Sequence, residues 1–204
     1  MHWATGLLPC FYFHIRYFTV TMKLAFVKAL MLLSMLLALA SLTACEDEEG
    51  ISLEDQAERD DRVIREYLQE NGFANFIRTE SGLYFVALED GTGEAVPGNA
   101  LVTVHYTGRL LYGKRFDSSV LRDEPFRFQV PTGRIYQGVD AEGNPVFSND
   151  GVIAGWVEGV SLMERGQKGL LFIPSGLAYG SQGSGIIPGN AIIYFEMELL
   201  DFAQ

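Results

Sequence analysis

Cysteine and histidine are scarce in this chain of 204 residues, which has two cysteines and three histidines. Beyond Cys45 no further cysteine occurs and His105 is the only histidine, so that part of the chain cannot form an internal disulfide. Metal sites built on Cys and His need several such ligands, and nucleophilic triads need a histidine beside a Ser or Cys. Both kinds of site are nearly excluded, and His105 is predicted to be a core residue.

Positive charge is also scarce: the chain has 15 Lys and Arg residues but 26 Asp and Glu residues, which gives a formal net charge of −11. Nucleic-acid binding needs a basic surface, so we expect none. The sequence has no Walker-type GK[ST] motif, and Gly180, Gly183 and Gly185 follow no strand that opens a helix. The acidic stretch 140–150 lacks the ligand order of an EF-hand and is predicted to be a turn. No cofactor is expected.

The first 44 residues are laid out like an export signal. Lys23 and Lys28 precede the apolar run ALMLLSMLLALA at 29–40, which is too short to cross a bilayer as a helix. The run leads into Leu42-Thr43-Ala44-Cys45, which resembles the lipobox of bacterial lipoproteins. We expect residues 1–44 to be a signal peptide, with 1–21 an over-extended start, and Cys45 to carry the lipid. The alternative is a buried cysteine at the end of an uncleaved anchor helix.

A charged stretch follows the cysteine. Residues 45–60 are predicted to be a lipidated acidic tether, and the acidic run 46–49 is either part of it or a sorting signal. Within the next segment, 61–80, the apolar residues Val63, Ile64, Tyr67 and Leu68 recur at helical spacing, which predicts an amphipathic helix over 59–71. We expect this helix to pack on its own domain; a role in dimerisation is the alternative.

Beyond Gly82, short runs of aromatic and β-branched residues are separated by glycine. These runs are LYFVAL, ALVTVHYTG, EPFRFQV, KGLLFIP and AIIYFEMELLDF. One piece at 154–163 is helix-like instead. The pattern predicts an α+β fold in which an antiparallel sheet packs against a helix.

Three segments within 91–202 resemble the FKBP-type peptidyl-prolyl cis-trans isomerases, in the family's order. They are VHYTGRLLYGKRFDSS (104–119), GVIAGWVEGVSLMERGQKG (151–169) and IPSGLAYGSQGSGIIPGNAIIYFEMELL (173–200). The resemblance implies an isomerase domain over 81–204, with a twisted antiparallel sheet of five or six strands wrapped around one short helix. A non-catalytic peptide-binding module or holdase chaperone is the alternative function.

The resemblance also implies which residues form the catalytic pocket. Trp156 would be its floor, the Ile153 N–H and the Tyr179 hydroxyl would bind substrate carbonyls, and Asp117 would polarise the site, flanked by Arg122. The implied pocket residues are Tyr106, Phe116, Asp117, Phe126, Val152, Ile153, Trp156, Tyr179, Ile186, Ile187 and Phe195.

Two features depart from the family pattern. An insertion at about 131–150 has glycines and an Asn-Pro pair suited to a hairpin-like excursion, and we expect it to enter the pocket rim and tune substrate choice. The loop 180–188 is one residue short and has Ser184 near the place where many members have histidine.

Together the signal and the resemblance imply a place and partners for the protein. We expect it in the cell envelope, anchored to a bacterial membrane by acyl chains such as palmitate on Cys45. Its partners would be X-Pro segments of unfolded or partly folded exported proteins, and macrolide inhibitors would bind the same pocket.

Overall fold

The computed structural model describes residues 52–204, so the predicted signal peptide, the lipidated Cys45 and residues 46–51 of the tether lie outside the described part. The α+β fold is confirmed: an antiparallel sheet carries helices on both faces. No helix within 52–204 is long and apolar enough to cross a membrane.

The first helix, α1, spans Leu53–Glu70. It starts at Leu53 rather than at the predicted Arg59, so residues 53–60 are helical and the prediction of a tether up to residue 60 was wrong. The reason is a cap: the Ser52 side chain accepts a hydrogen bond from the Asp55 N–H, and acidic residues in the first turn favour the helix dipole. The helix ends at Glu70 and is capped by Asn71, and Gly72 follows in the left-handed region at φ +75°.

Nine strands build the sheet within the described residues, against the five or six expected. The strands are β1 (Ile77–Arg78), β2 (Tyr84–Glu89), β3 (Leu101–Leu110), β4 (Arg115–Ser118), β5 (Phe126–Gln129), β6 (Arg134–Val139), β7 (Pro145–Gly151), β8 (Lys168–Ile173) and β9 (Ile193–Ala203). The four additional strands are two very short ones, β1 and β4, and the two strands of a hairpin in the insertion, β6 and β7. The strand order is β1-β2-β8-β9-β3-β5-β6-β7. Strand β4 also pairs with β3, on the edge that β3 shares with β5 and opposite β9.

Both faces of the central strands are covered, which explains the unbroken apolar run in β8. Leu171 and Ile173 belong to the main core under the short helix α3 (Ala154–Val160), whereas Leu170 and Phe172 belong to a second core under α1. On β3 the predicted alternation is confirmed, since Val102, Val104 and Tyr106 are buried and the residues between them are half-buried.

Helix α3 lies very close to the sheet because it has glycine where it crosses β8. A Cβ added at Gly155 would lie 2.5 Å from the Ile173 side chain, and one at Gly159 would lie 2.6 Å from Leu171. The helix ends at Val160, short of the predicted Met163, and Ser161 caps it. This close approach sets the depth of Trp156, the residue that follows Gly155.

The insertion forms the predicted hairpin. Strands β6 and β7 pair antiparallel, and Asp140 closes the turn by accepting hydrogen bonds from the N–H groups of Glu142 (3.0 Å) and Asn144 (2.8 Å). A single register pair, Phe128 with Ile135, joins this hairpin to β5. The hairpin is therefore an appendage at the sheet edge, while the core strands pair without it.

A further short helix, α2 (Ser119–Arg122), follows β4 and carries Arg122 at its end. Two 3-10 turns, Ser175–Leu177 and Gly180–Gln182, follow β8 and lead to β9. Together with α3 and the hairpin, these loops surround one end of the main core, where the candidate site lies.

Candidate functional site

One cavity of about 570 Å³ opens at the junction of α3, the sheet and the loop after β8. Its wall contains every residue that the family resemblance implied, and their catalytic roles remain predictions. The implied residues found in the wall are Tyr106, Phe116, Asp117, Phe126, Val152, Ile153, Trp156, Tyr179, Ile186, Ile187 and Phe195. The wall also includes Ile135, Gly151 and Gly185, which the sequence did not single out as pocket residues, and Ser184, which it had placed in the short rim loop.

Trp156 forms the floor of this cavity. Three aromatic rings meet it edge-on, with ring-centroid distances of 4.7 Å to Tyr106, 5.0 Å to Phe195 and 5.6 Å to Phe126. Edge-to-face pairs of this kind are favourable and hold rings in fixed orientations. The indole is only 5% exposed, so it presents a rigid apolar surface at the bottom of the cavity.

The indole nitrogen of Trp156 has no hydrogen-bond partner, although it is buried; no other buried side-chain nitrogen or oxygen within residues 52–204 shares this condition. Buried polar groups are normally paired, so an unpaired one carries an energetic cost. The unpaired indole nitrogen is thus a local cost of packing Trp156 tightly among its aromatic neighbours.

Asp117 and Tyr106 form a hydrogen-bonded group at one wall of the cavity. The Tyr106 hydroxyl donates to Asp117 Oδ2 at 2.5 Å, and the Ser118 N–H donates to Oδ1 at 2.7 Å. Arg122 forms an ion pair with the same carboxylate and donates from Nη2 to the Tyr106 hydroxyl oxygen at 3.0 Å. Each partner therefore has its geometry fixed by the other two.

The electrostatics of this group keep Asp117 ionised. Burial opposes its charge, but the hydrogen bonds from Tyr106, Arg122 and the Ser118 N–H outweigh burial and lower its pKa below the usual 3.8. For Tyr106, burial and then the hydrogen bond to Asp117 raise the pKa to about 12. At neutral pH the wall therefore carries a carboxylate and a protonated phenol.

Two donors face the cavity without acceptors among residues 52–204. The Ile153 N–H, at the N-cap of α3, makes no backbone hydrogen bond, and the Tyr179 hydroxyl has no partner. Burial, and then the nearby charge of Asp117, raise the pKa of Tyr179, so its hydroxyl stays protonated. Both residues line the cavity, and both donors are left unpaired within residues 52–204.

The loop that carries Tyr179 is fixed by close backbone packing. A Cβ added at Gly183 would lie 2.3 Å from the Ile187 carbonyl oxygen, so only glycine fits there. At the start of the loop, the buried Asp60 of α1 accepts hydrogen bonds from the Ser175 N–H (2.7 Å) and hydroxyl (2.6 Å). Sequence reasoning missed Asp60, because nothing in a run of charged residues distinguishes one carboxylate that turns inward.

Three other residues discussed from the sequence, Ile186, Ile187 and His105, differ in burial and in their relation to the cavity. Ile187 is buried, whereas Ile186 is 55% exposed and lies at the rim with Ser184. His105 is half-buried outside the cavity wall, with Nδ1 3.1 Å from Ser119 Oγ. His105 belongs to β3 beside Tyr106 and is neither a pocket residue nor the fully buried core residue that was predicted, because its side chain lies on the half-buried face of the strand.

The family model that matches this chain and two of its relatives are of the FKBP type. The family model described as "FKBP-type peptidyl-prolyl cis-trans isomerase" matches residues 92–143 and 144–200. The chain is 42% identical over 136 residues to the FKBP-type peptidyl-prolyl cis-trans isomerase FkpA of Aeromonas hydrophila, a match that covers 66% of this chain and 44% of the relative. It is 43% identical over 113 residues to FK506-binding protein 1A of Aspergillus fumigatus, which covers 51% of this chain and 86% of the relative.

Among solved structures, the crystal structure of FkpA from Escherichia coli is similar, with a TM-score of 0.54 at 31% sequence identity. That likeness covers 84% of this chain and 71% of the other. The chain spans less than half the length of the Aeromonas relative.

Proposed function

Because the chain belongs to the FKBP-type peptidyl-prolyl cis-trans isomerase family, we propose that it catalyses rotation about X-Pro peptide bonds. The observation that carries this proposal is the rigid aromatic floor of Trp156, open to solvent on one side and rimmed by unpaired hydrogen-bond donors. A proline ring is compact and apolar, so it suits such a floor.

Rotation of this bond needs no nucleophile. Resonance holds the amide planar with a barrier of about 18–20 kcal/mol, and the twisted transition state loses that resonance. A site that binds the twisted form more tightly than the planar forms lowers the barrier, and a thousandfold to millionfold acceleration requires about 4–8 kcal/mol. A few well-placed contacts can supply this amount.

We assign a role to each part of the wall. Trp156 supports the prolyl ring, and the Ile153 N–H and Tyr179 hydroxyl hold carbonyl oxygens on either side of it. The ionised Asp117, fixed by Tyr106 and Arg122, stabilises the altered dipole of the twisted bond. The remaining apolar residues exclude water, which strengthens these interactions.

The test is an isomerisation assay on the purified protein. We expect faster cis-to-trans conversion of chromogenic X-Pro peptides, together with faster refolding of a protein whose folding is limited by proline. A well-folded protein that accelerates neither reaction but still binds unfolded chains would instead be a holdase.

Macrolide inhibition and the client class are finer parts of the same proposal. One relative carries FK506 binding in its name, and we expect the macrolide to compete with substrate for the Trp156 floor of this chain. The clients would be exported proteins, because the N-terminal sequence has the layout of a lipoprotein signal and Cys45 would hold the protein at a bacterial membrane in the cell envelope.

A further inference from the structure

A second groove runs beside the proposed active site. It has a volume of about 410 Å³ and lies where β5 and β6 diverge, since only Phe128 and Ile135 are paired between those strands. Phe126 and Ile135 line both this groove and the catalytic cavity. A peptide bound over Trp156 can therefore continue into the groove within a few residues, given about 3.3 Å per extended residue.

Arg127 supplies positive charge to this groove. Its guanidinium lies over the ring of Tyr136, 4.7 Å from the centroid, and both residues line the groove. Arg127 is exposed and makes no ion pair or side-chain hydrogen bond with any residue of 52–204. A guanidinium over an aromatic ring can still donate its N–H groups, and their fork matches a carboxylate with two parallel hydrogen bonds.

Two other charged residues, Arg122 and Glu124, line the groove. Arg122 is held by Asp117 and Tyr106, so it is not free for a ligand. The negative charge of Glu124 offsets the positive charge of Arg127 in the net charge of the groove. Arg127 is thus the cation of this groove whose hydrogen-bond donors are free within the described part of the chain. It stands out in a chain whose formal net charge is −11.

We propose that this groove is a substrate subsite that selects an acidic side chain, Asp or Glu, near the isomerised proline. The inference rests on the proposed isomerase function, because it names the substrate class of the same site. Arg127 on β5 and Tyr136 on the hairpin form the subsite, and Ile135 of the hairpin lines both the subsite and the catalytic cavity. The carboxylate pairs with Arg127 while the proline ring occupies the Trp156 floor.

The hairpin itself provides a matched control. Arg134 stacks on Phe147 at 5.1 Å, just as Arg127 stacks on Tyr136, and it is also exposed. Arg134 does not line the groove. Arg127→Gln and Arg134→Gln therefore remove the same charge and the same kind of stacking contact from neighbouring places.

The experiment uses the full-length protein in mild detergent and X-Pro peptides that differ only in having Glu, Gln or Lys at one position near the proline. We expect wild-type kcat/KM to be about threefold to tenfold higher for the best Glu peptide than for its Gln counterpart, and lowest for Lys, as for a partly screened ion pair. Arg127→Gln should bring the Glu-to-Gln ratio to about one. Arg134→Gln should keep the ratio of the wild type, and high salt should weaken it.

Binding of fluorescein-labelled peptides separates the two proposals. If the wild type isomerises peptides but shows no preference for Glu at any position, or if Arg134→Gln abolishes the preference as fully as Arg127→Gln, the subsite is refuted and the isomerase stands. If no peptide is isomerised while Glu peptides still bind more tightly through Arg127, the isomerase function fails and the subsite stands.

Discussion

The Tyr179 hydroxyl faces the pocket with no partner in the described part of the chain, so a bound carbonyl is its natural acceptor. Tyr179→Phe removes this hydroxyl and keeps the ring. We expect kcat/KM to fall about twofold to twelvefold, the equivalent of one hydrogen bond of about 0.5–1.5 kcal/mol. Peptide isomerisation by the two proteins measures the effect.

Tyr112→Phe is the control for this change, because Tyr112 is 81% exposed and lies outside the pocket wall. Its activity should equal that of the wild type. An unchanged rate in Tyr179→Phe, with normal unfolding, would remove Tyr179 from the proposed mechanism.

The pH dependence follows from Asp117, whose pKa is lowered below 3.8 despite burial that opposes its charge. Because the folded pKa lies below the unfolded one, the stabilisation is fully present above about pH 4 and is lost as the pH falls through the folded pKa. Between pH 6 and 8 the carboxylate stays ionised, so we expect kcat/KM to be flat. Rates across that range and unfolding midpoints from about pH 6 to 2 are the measurements.

Asp117→Asn supplies the comparison for acid stability. This variant should lose less stability than the wild type as the pH falls below about 4, because the titrating group is gone. A bell-shaped rate profile centred near neutrality in the wild type would contradict catalysis by shape and fixed charge.

At the scale of elements, α1 is joined to the active-site loop by one buried carboxylate. Asp60 is 2% exposed, accepts both hydrogen bonds from Ser175, and also accepts one from Gln56 Nε2 at 2.7 Å. Asp60→Ala leaves the Ser175 N–H and hydroxyl buried without an acceptor. We expect a loss of about 1–3 kcal/mol in the free energy of unfolding, measured by urea denaturation.

Glu58→Ala is the matched control, since Glu58 is on the same helix and exposed. It should change the free energy of unfolding by less than about 0.5 kcal/mol. Equal effects of the two substitutions would show that Asp60 acts only through helix propensity and not through Ser175.

The hairpin is the second element with a separable role. Arg134 and Gly151 are register partners, so replacing residues 135–150 by Asn-Gly closes the chain with a two-residue turn. We expect a folded domain with a cooperative thermal transition, because the core strands pair without the hairpin. We also expect lower isomerase activity, because Ile135 leaves the pocket wall, and no preference for acidic peptides.

Thermal unfolding followed by circular dichroism, and the Glu and Gln peptides described above, measure both effects. Loss of the cooperative transition would mean that the hairpin is part of the folding unit. An unaltered peptide preference would separate the hairpin from substrate choice.

For the whole molecule, the sequence around Cys45, which lies outside the described residues, predicts attachment to a membrane. We expect the wild type in the membrane fraction with incorporated fatty acid, and Cys45→Ser in the soluble fraction without it. Stable attachment needs more than one acyl chain, since a single chain binds marginally. A Cys45→Ser protein that stays with the membranes, with no lipid label in the wild type, would disprove the anchor.

The sequence alone indicated the fold and the pocket to a large extent. Alternation in β3 and the apolar run of β8 are local patterns that report which faces are buried, so strands were predictable. The pocket residues were predictable through the long ordered motifs around Tyr106, Trp156 and Tyr179. The start of α1 was not, because its first turns are charged on nearly every side and the cap at Ser52 gives a weak signal.

Tertiary structure decided what depends on contacts between distant segments. Asp60 meets Ser175 only because α1 packs on the sheet, and no local pattern encodes a hydrogen bond across 115 positions. The groove that holds Arg127 exists because β5 and β6 diverge after a single register pair, which composition cannot express. The sequence determined which side chains were available for a prolyl pocket. Packing determined that the Asp60 carboxylate turned inward, that Arg122 paired with Asp117, and that Arg127 was left free among the described residues beside the pocket, because each outcome depends on how different elements pack against one another.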